Sequence, residues 1–265
     1  MKLGMPQLYE FDNIEDNLKL AKELNLDFIE LNLNFGYCRK EMEAHTVADL
    51  LKKYNMKATL HFYDEADFGT YQEVVDAYLI HMERYAQLGS GYIRSMNVHN
   101  IPGPVVTISG VKNYIYQKEF DEYIKRLIAN LKKAEEICNK YGIMLVIENT
   151  ETLVPYMEKT YEEEMKAGLK FCYDCGHDNV SPAKVYDWID KYNLHFYEFH
   201  FHDGISSKCH LALGEGTMDK KKMKDICKLS DEYINSRNEG ETWINLEVKK
   251  SEDLKISVPY FRNIK

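Results

Sequence analysis

The amino-acid sequence predicts a single-domain α/β protein, residues 1–265, whose strands close into a (β/α)8 TIM barrel. Short β-branched or aromatic runs alternate with longer helical patterns from one end of the chain to the other, and eight such runs can be counted. Regular alternation of this kind implies parallel strands joined by right-handed crossovers. Eight strands in roughly 250 residues fit a closed barrel better than an open, doubly wound sheet, which is the alternative.

The predicted strands are short runs of apolar and β-branched residues that are separated by turn-forming or helical segments. The stretch 99–119, which follows the fourth strand, is predicted to be a loop over the mouth of the barrel. The eight strands cover residues 2–5, 27–33, 56–62, 92–99, 142–149, 169–175, 195–203 and 242–249.

The segments between these strands carry apolar residues at helical spacing. Phe120, Ile124, Leu127 and Leu131, for example, lie on one face of a predicted helix. The residues after Lys250 are too few for a long eighth helix, so a shortened last helix is expected. The predicted helices cover residues 15–25, 44–54, 71–88, 120–141, 156–167, 182–192 and 219–236.

Composition and charge exclude several classes of protein. Hydrophobic residues make up 45% of the chain and charged residues 29%, which is typical of a globular domain and not of a disordered one. With 34 basic and 43 acidic side chains the net charge is −9, which argues against a broad nucleic-acid-binding surface. No apolar run approaches the roughly 20 residues of a membrane span and no signal peptide is recognisable, so a cytoplasmic protein is expected.

The six cysteines are scattered along the chain and do not form the framework of a disulfide-rich secreted protein. Free thiols are therefore expected. Cys172 and Cys175 form a CxxC pair, but on a strand Cys172 shares a face with Asp174 while Cys175 points to the opposite face. Structural thiols are a better interpretation of this pair than a redox or zinc motif.

Polar residues with metal-binding side chains fall at the carboxyl ends of six predicted strands. In a (β/α)8 barrel these ends converge on one face, where active sites are built. One such residue alone is usually a hydrogen-bonded structural group. Six together are harder to explain in that way, because crowded carboxylates repel each other unless a cation lies between them. The six residues are His61, His99, Glu148, Asp174, His200 and Glu247.

This combination of carboxylates and imidazoles predicts a site for a divalent metal ion. Carboxylate and imidazole ligands together suit Mn²⁺, Zn²⁺, Co²⁺ or Fe²⁺. Mg²⁺ is less expected, because it prefers oxygen ligands and retains several of its water molecules.

Short segments along nearly the whole chain combine in a specific order and spacing. They are Phe28-Ile29-Glu30-Leu31, Leu60-His61, Asn97-Val98-His99, Val146-Ile147-Glu148-Asn149, Asp174-Cys175-Gly176-His177, His200-Phe201-His202-Asp203, His210-Leu211-Ala212-Leu213-Gly214-Glu215-Gly216 and Leu246-Glu247. In this order they resemble the xylose-isomerase-like TIM-barrel superfamily. That superfamily contains sugar isomerases and 3-epimerases, inosose dehydratases and isomerases, and endonuclease IV.

The resemblance to the epimerase branch implies that one divalent cation is held by four residues and that His177 contacts the substrate. The implied ligands are Glu148, Asp174, His200 and Glu247. In the endonuclease branch, the residues that match His61, His99 and Glu148 hold a further zinc, so a second metal is open here.

Two departures from the endonuclease pattern argue against a third metal and against DNA repair. The Asp-x-His pair of that branch reads Lys208-Cys209-His210 here, with an ammonium group in place of the carboxylate. The N-terminal Gly-x-His-x-Ser stretch is replaced by Gly4-Met5-Pro6-Gln7-Leu8.

The resemblance therefore implies a divalent-metal-dependent isomerase or epimerase of a sugar, sugar phosphate or polyol. Glu148 and Glu247 would transfer a proton next to a metal-polarised carbonyl, and His202 or Asp203 would orient His200. The residues expected to contact the substrate are His61, His99, His177, Lys208 and His210.

The expected partner is a small carbohydrate. A nucleic acid is less expected but stays open, and no membrane partner is expected. Helix faces rich in Tyr and Met leave a homo-oligomer open. The alternative functions are an endonuclease IV-like phosphodiesterase acting at abasic DNA, an inosose-type dehydratase, and a binding module without turnover.

Overall fold

The computed structural model describes residues 1–100, 105–150, 156–181 and 184–264. Its central feature is a closed barrel of parallel strands: β1 (Lys2–Pro6), β2 (Phe28–Asn32), β3 (Lys57–His61), β4 (Ile93–Asn100), β7 (Met144–Asn149), β8 (Lys170–Asp174), β9 (Phe196–His200) and β12 (Trp243–Asn245). Around the barrel the strands follow the order β1-β12-β9-β8-β7-β4-β3-β2. The predicted (β/α)8 TIM barrel is confirmed, and each predicted strand overlaps an observed one.

Helices follow the strands along the chain. Each predicted helix overlaps an observed one, although Pro182 and Ala183, where one was expected to begin, lie outside the described residues. The helices are α1 (Ile14–Glu23), α2 (Gly36–Glu43), α3 (Val47–Tyr54), α4 (Gln72–Gly89), α5 (Phe120–Lys140, preceded by a 3₁₀ turn over Ile115–Glu119), α6 (Tyr156–Lys166), α7 (Cys175–Val180), α8 (Tyr186–Tyr192), α9 (Lys220–Ser236) and α10 (Ser251–Asn263).

The loop expected at 99–119 is instead partly a β-hairpin. Strands β5 (Val105–Ile108) and β6 (Val111–Tyr114) pair in antiparallel fashion. Ser109 and Gly110, between them, both have positive φ, which suits the two-residue turn that twists with its strands. The β-branched run at 105–108 is the sequence signal for this hairpin. The prediction missed it because the strands are short and the side chains of β5 are all exposed.

A second antiparallel hairpin, β10 (Asp203–Ile205) with β11 (Lys208–Leu211), follows β9 directly. The predicted seventh strand, 195–203, therefore includes the start of this hairpin. Helices α2 and α7 were not predicted, since each is short. The last helix, α10, has 13 residues and is shorter than α4, α5 and α9, but it is a complete helix and the barrel closes beside it through pairing of β1 with β12.

The interior of the barrel is unusually polar. Below the strand ends, Glu30 and Glu198 are fully buried, and Oγ of Ser95 donates a 2.6 Å hydrogen bond to Glu198. At the amino end of the strands Arg94 donates hydrogen bonds to backbone carbonyls and lies over the ring of Trp243. The polar groups inside the barrel are thus held by specific partners beneath the end that carries the predicted site.

Among the described residues, no helix combines the length and the apolar character that a membrane crossing would require.

Candidate active site and metal centre

The predicted polar residues lie at the carboxyl ends of the barrel strands. Strand register places His99 beside Glu148 and Asp174 beside His200. Glu247 lies two residues beyond the end of β12, because this strand ends at Asn245 and not at the predicted position 249. Parallel strands that end at the same level therefore bring side chains from distant parts of the sequence to one face.

Four of these residues surround a common point. The ligand atoms of Glu148, Asp174, His200 and Glu247 all lie within 4.8 Å of one another, and all four side chains are buried. Nδ1 of His200 is 3.1 Å from Oε2 of Glu148, 3.1 Å from Oε2 of Glu247 and 3.9 Å from Oδ2 of Asp174. The structure brings together the four residues that the resemblance implied as metal ligands.

Two buried atoms of this cluster have no hydrogen-bond partner among the described residues: Nδ1 of His200 and Oε2 of Glu247. They are 3.1 Å apart but are not aligned for a hydrogen bond. Two ligands that each lie about 2.1 Å from one cation, at roughly a right angle, are about 3 Å apart. Three carboxylates and one imidazole also form a donor set that Zn²⁺, Mn²⁺, Co²⁺ and Fe²⁺ accept. These residues therefore fit a divalent metal.

The carboxylates of the cluster are held in their ionised form. Although burial raises the pKa of Glu148, His200 and His61 lower it further, so that it lies well below its ordinary value. Burial likewise opposes ionisation of Glu247, but Lys249 and the imidazoles nearby hold its pKa well below the ordinary value. Ionised carboxylates in a buried cluster are stable only beside positive charge, which is what a bound cation supplies.

His61 and His99 form a second group with Glu148. Nδ1 of His61 lies 2.8 Å from the carbonyl oxygen of Phe62, and Nδ1 of His99 lies 3.1 Å from that of Asp64. Since a carbonyl oxygen only accepts, each Nδ1 carries the proton and each Nε2 faces Glu148. The Nε2 atoms are 3.6 and 3.9 Å from the carboxylate oxygens, longer than hydrogen bonds. These three residues are a further potential metal-binding group.

The two imidazoles differ in their protonation. Burial lowers the pKa of His61, but the carboxylates of Glu148 and Glu30 raise it to about 10. Burial is the dominant effect on His99 and lowers its pKa.

Three further imidazoles pack together beside Asp174. The ring centroids of His202 and His210 are 4.2 Å apart, and His177 stands edge-on to both at 5.4 and 5.1 Å. Nε2 of His202 is 3.0 Å from Oδ1 of Asp174. His202 therefore orients Asp174, and the expectation that it orients His200 is wrong. Burial lowers the pKa of His210 to about 3, so this ring is neutral.

Asp203, the other residue expected to orient His200, instead anchors the segment that carries His210. Its buried carboxylate accepts hydrogen bonds from the backbone N–H of Gly214 (2.9 Å) and Met218 (3.1 Å), and from Nζ of Lys220 (2.8 Å). The turn at Gly214-Glu215-Gly216 is thereby fixed to the end of β9. Asp203 positions the edge of the site through this loop and does not contact the predicted ligands.

Lys208, the lysine that was predicted to contact the substrate, is not the lysine that lies beside the cluster. Lys208 is exposed on β11. The ammonium group that reaches the cluster belongs to Lys249, whose Nζ lies 2.8 Å from Oε1 of Glu247. The sequence could have indicated Lys249, because in the strand predicted to reach position 249 a residue two positions after Glu247 points to the same side.

Two further residues of the site received no role from the sequence. Oε1 of Glu30, on β2, lies 3.1 Å from Nε2 of His200, and Nδ2 of Asn97, on β4, donates a hydrogen bond to Glu148. Both are buried, and a buried polar side chain needs a partner. The need for a partner indicates that these two residues have a role, but it does not identify the residue with which each pairs.

Cys38, Cys138, Cys172, Cys175 and Cys227 are free thiols, as expected. Cys172 and Cys175 are both buried, and burial raises the pKa of each thiol well above its ordinary value. Cys175 begins helix α7 and does not continue the strand. Neither thiol has the exposed, electropositive surroundings of a redox pair.

Three solved structures illustrate the proteins that share this architecture. A D-tagatose 3-epimerase-like protein has a TM-score of 0.75 and 18% identity, over 100% of this chain and 97% of the other. D-allulose 3-epimerase from Methylomonas sp., in complex with D-allulose, has a TM-score of 0.70 and 11% identity, over 100% and 97%. The IolI protein with a bound zinc atom has a TM-score of 0.64 and 15% identity, over 98% and 94%.

At these identities the structural similarity establishes the fold. A comparison with curated protein sequences finds no significant match. Residues 18–253, which carry most of the barrel and all six polar strand-end residues, match the model of one protein family. This chain is therefore a member of the xylose isomerase-like TIM barrel family.

Proposed function

We propose that this protein is a divalent-metal-dependent isomerase or epimerase of a sugar, sugar phosphate or polyol. The observation that carries the proposal is the position of two ionised glutamates, Glu148 and Glu247, around Nδ1 of His200. The similarity of the fold to the 3-epimerase structures supports the same class of reaction.

The cluster of Glu148, Asp174, His200 and Glu247 would hold the metal. When bound, a divalent cation polarises the carbonyl of a ketose and makes the adjacent C–H more acidic. A metal held in this way is expected to be Mn²⁺, Zn²⁺, Co²⁺ or Fe²⁺, because one of the ligands is an imidazole.

The two glutamates carry the proton. One carboxylate accepts it from the substrate carbon. The other, which has first taken up a proton from solvent, returns it to that carbon or to its neighbour, and the first then releases its proton to solvent. They come from β7 and from the segment after β12, so a carbon held between them is reached from two directions. Return from the opposite face inverts the carbon and gives an epimer. Return to the neighbouring carbon, together with transfer of the hydroxyl proton to the former carbonyl oxygen, gives an isomer.

The imidazoles at the rim suit a polyhydroxylated substrate. His99, His177 and His210 are each partly exposed at the mouth of the barrel. A neutral ring both donates and accepts hydrogen bonds, as a sugar hydroxyl does. We assign these rings and His61 to substrate hydroxyls. Lys249 keeps Glu247 ionised, and Lys208 stays a predicted substrate contact.

Proton exchange with the solvent tests the proposal. The Mn²⁺- or Co²⁺-loaded protein is incubated in D2O with a panel of ketohexoses and ketose phosphates, and deuterium in the sugar is followed by NMR. Glu148→Gln and Glu247→Gln should each slow exchange by about 10²–10⁴-fold, the usual contribution of a positioned base. Near-normal exchange in either variant would contradict the two-carboxylate scheme.

Glu164→Gln is a matched control for these variants. Glu164 is equally buried but lies on α6 and accepts a hydrogen bond from Asn100. Burial raises its pKa well above the ordinary value, so it is already neutral and glutamine is a close replacement. Its exchange rate should stay close to that of the wild type.

A two-metal phosphodiesterase is the second candidate function, and the geometry of His61 and His99 favours it. Their Nε2 atoms face Glu148 from distances that suit a shared cation. Metal stoichiometry separates the two functions: one equivalent per chain supports the isomerase, and two support the phosphodiesterase. Cleavage of an abasic duplex with a steep salt dependence would also support the latter. An inosose-type dehydratase would begin with the same proton removal and differ by loss of water.

A further inference from the structure

We infer that Glu30 is a positioning residue of the metal centre, whose carboxylate accepts a hydrogen bond from Nε2 of His200 and so leaves Nδ1 of the same ring to bind the cation. This inference rests on the proposed function, since it assigns a role at that metal site. Glu30 is separated from His200 by 170 positions along the chain.

The contact between the two residues is enclosed and doubly held. Oε1 of Glu30 lies 3.1 Å from Nε2 of His200, and both side chains are buried. The other carboxylate oxygen, Oε2, accepts a 2.6 Å hydrogen bond from Nδ2 of Asn245. Asn245 is the last residue of β12 and is paired in register with His200 on β9. The carboxylate of Glu30 is therefore fixed by β12, the strand beside that of His200, and it cannot turn away from the ring without losing a hydrogen bond.

The neighbours of the ring decide which nitrogen carries the proton. Among the described residues, two hydrogen-bonding atoms lie within 3.5 Å of Nε2: Oε1 of Glu30 at 3.1 Å and Nδ2 of Asn97 at 3.3 Å. Nδ2 of Asn97 donates one N–H to Glu148 and is the more distant of the two, whereas a carboxylate oxygen of Glu30 accepts. An unprotonated Nε2 would place two lone pairs against each other, so Nε2 carries the proton.

The proton on Nε2 leaves Nδ1 as the lone-pair nitrogen of the neutral ring. Nδ1 is the buried atom that has no hydrogen-bond partner and faces the oxygens of Glu148 and Glu247. A carboxylate behind a metal-binding imidazole fixes the tautomer and makes the ligand nitrogen more basic, and its loss typically weakens metal binding 10–100-fold. Glu30 acts through His200 and has no contact with the proposed ligand position.

The barrel offers a matched control in Glu198. It is buried in the same interior, and its carboxylate lies close to Glu30 and His200. Its hydrogen bond, however, comes from Oγ of Ser95 at 2.6 Å. Glu198→Gln therefore removes a neighbouring carboxylate of equal burial and leaves the contact between Glu30 and His200 in place.

The experiment compares Glu30→Gln and Glu198→Gln with the wild type. Zn²⁺ and Mn²⁺ affinities are measured by competition with a chromophoric chelator, so that no substrate is needed. Glu30→Gln should weaken binding by about 10–100-fold, and Glu198→Gln should change it by less than about threefold. In parallel, long-range ¹H–¹⁵N correlation NMR on the Zn²⁺-loaded wild type should show His200 with its proton on Nε2 and its Nδ1 bound to the metal.

The outcomes are distinguishable. Unchanged affinity in Glu30→Gln, an equal loss in both variants, or Zn²⁺ bound to Nε2 of His200 with the proton on Nδ1 would each overturn the role of Glu30. If Glu30→Gln does not fold, the tautomer of the wild type still decides. A wild type that binds neither ion would contradict the metal centre itself, and with it the proposed function, whereas the preceding outcomes leave that function standing.

Discussion

Nδ1 of His200 lies 3.1 Å from Oε2 of Glu247, yet no hydrogen bond joins them. Both atoms are buried, and each is polar enough that burial without a partner is costly. The same nitrogen stands equally close to an oxygen of Glu148. Buried polar atoms that converge on one point without hydrogen bonds leave a position that suits a cation.

The first prediction concerns metal content. Asp174→Asn and His200→Ala each remove one of four ligands, so the purified proteins should retain less than about a tenth of the metal bound by the wild type. Elemental analysis measures this directly. His195→Ala is the control, because its ring stacks on Tyr233 and is not part of the cluster. A full equivalent of metal in both ligand variants would contradict the proposed site.

The second prediction concerns Gly176, in α7. A Cβ atom at this position would stand 2.0 Å from Cε1 of His202. Gly176→Ala should therefore displace the ring that orients Asp174 and weaken Mn²⁺ binding by about tenfold or more in a chelator competition. Gly36→Ala, at the start of α2, is the control, since the nearest atom to its Cβ is 3.9 Å away on Arg39. Equal affinities of the two variants would show that the ring position is unimportant.

The third prediction concerns the pH dependence of stability. Burial raises the pKa of Asp178 to about 6, whereas an unfolded chain ionises this group near 3.9. Between these values the folded state holds a proton that the unfolded state has lost, so stability falls as pH rises from about 4 to about 6. Over the whole titration, from well below to well above these two pKa values, the expected loss of unfolding free energy is about 3 kcal/mol.

Asp178→Asn has no such ionisation and serves as the reference. Urea unfolding of both proteins in the presence of a chelator gives the free energies at pH 4 and pH 7. The stability of the wild type minus that of the variant should fall by about 2 kcal/mol over this range, because the unfolded group is already about half ionised at pH 4. A difference that is independent of pH would contradict the assigned ionisation.

The fourth prediction concerns Asp203. Asp203→Ala leaves Lys220 and several backbone N–H groups without their shared acceptor, which should cost about 2–4 kcal/mol of unfolding free energy. Urea denaturation measures the loss, and limited proteolysis should cut within 204–219 more rapidly. Asp225→Ala, which removes an exposed ion pair with Lys228, is the control and should change stability little. Comparable stability in the two variants would contradict the anchoring role.

The barrel was predictable from the sequence because its strands and helices bury long, regular apolar patterns. The stripe from Phe120 to Leu131 is buried as the helical spacing requires. The hairpin of β5 and β6 was missed because the residues of β5 are all exposed, so no burial pattern distinguishes that strand from a loop. Helix α7 was missed because it is only six residues long and follows the end of β8 without a loop.

The site was predictable only in part, for a related reason. Residues at the ends of parallel strands are gathered by topology alone, which is why Asp174 and His200 could be placed together from their positions in the chain. The partners of each residue depend on side-chain directions across the barrel. Glu30 reaches His200 from the opposite end of the chain, and His202 turns to Asp174 and not to its near neighbour His200. No local pattern encodes such pairs.

The hydrogen bonds of Asp203 divide the segment after β9 into an exposed tip and a fixed turn. Residues 205–208, at the tip of the β10–β11 hairpin, are exposed, whereas the turn that follows is held by the buried carboxylate. Substitutions at the tip can therefore change the reach and charge of the hairpin beside the mouth while the frame beneath it stays intact. Such substitutions can alter selectivity among closely related ligands with little loss of stability, which makes the tip the natural place to begin redesign.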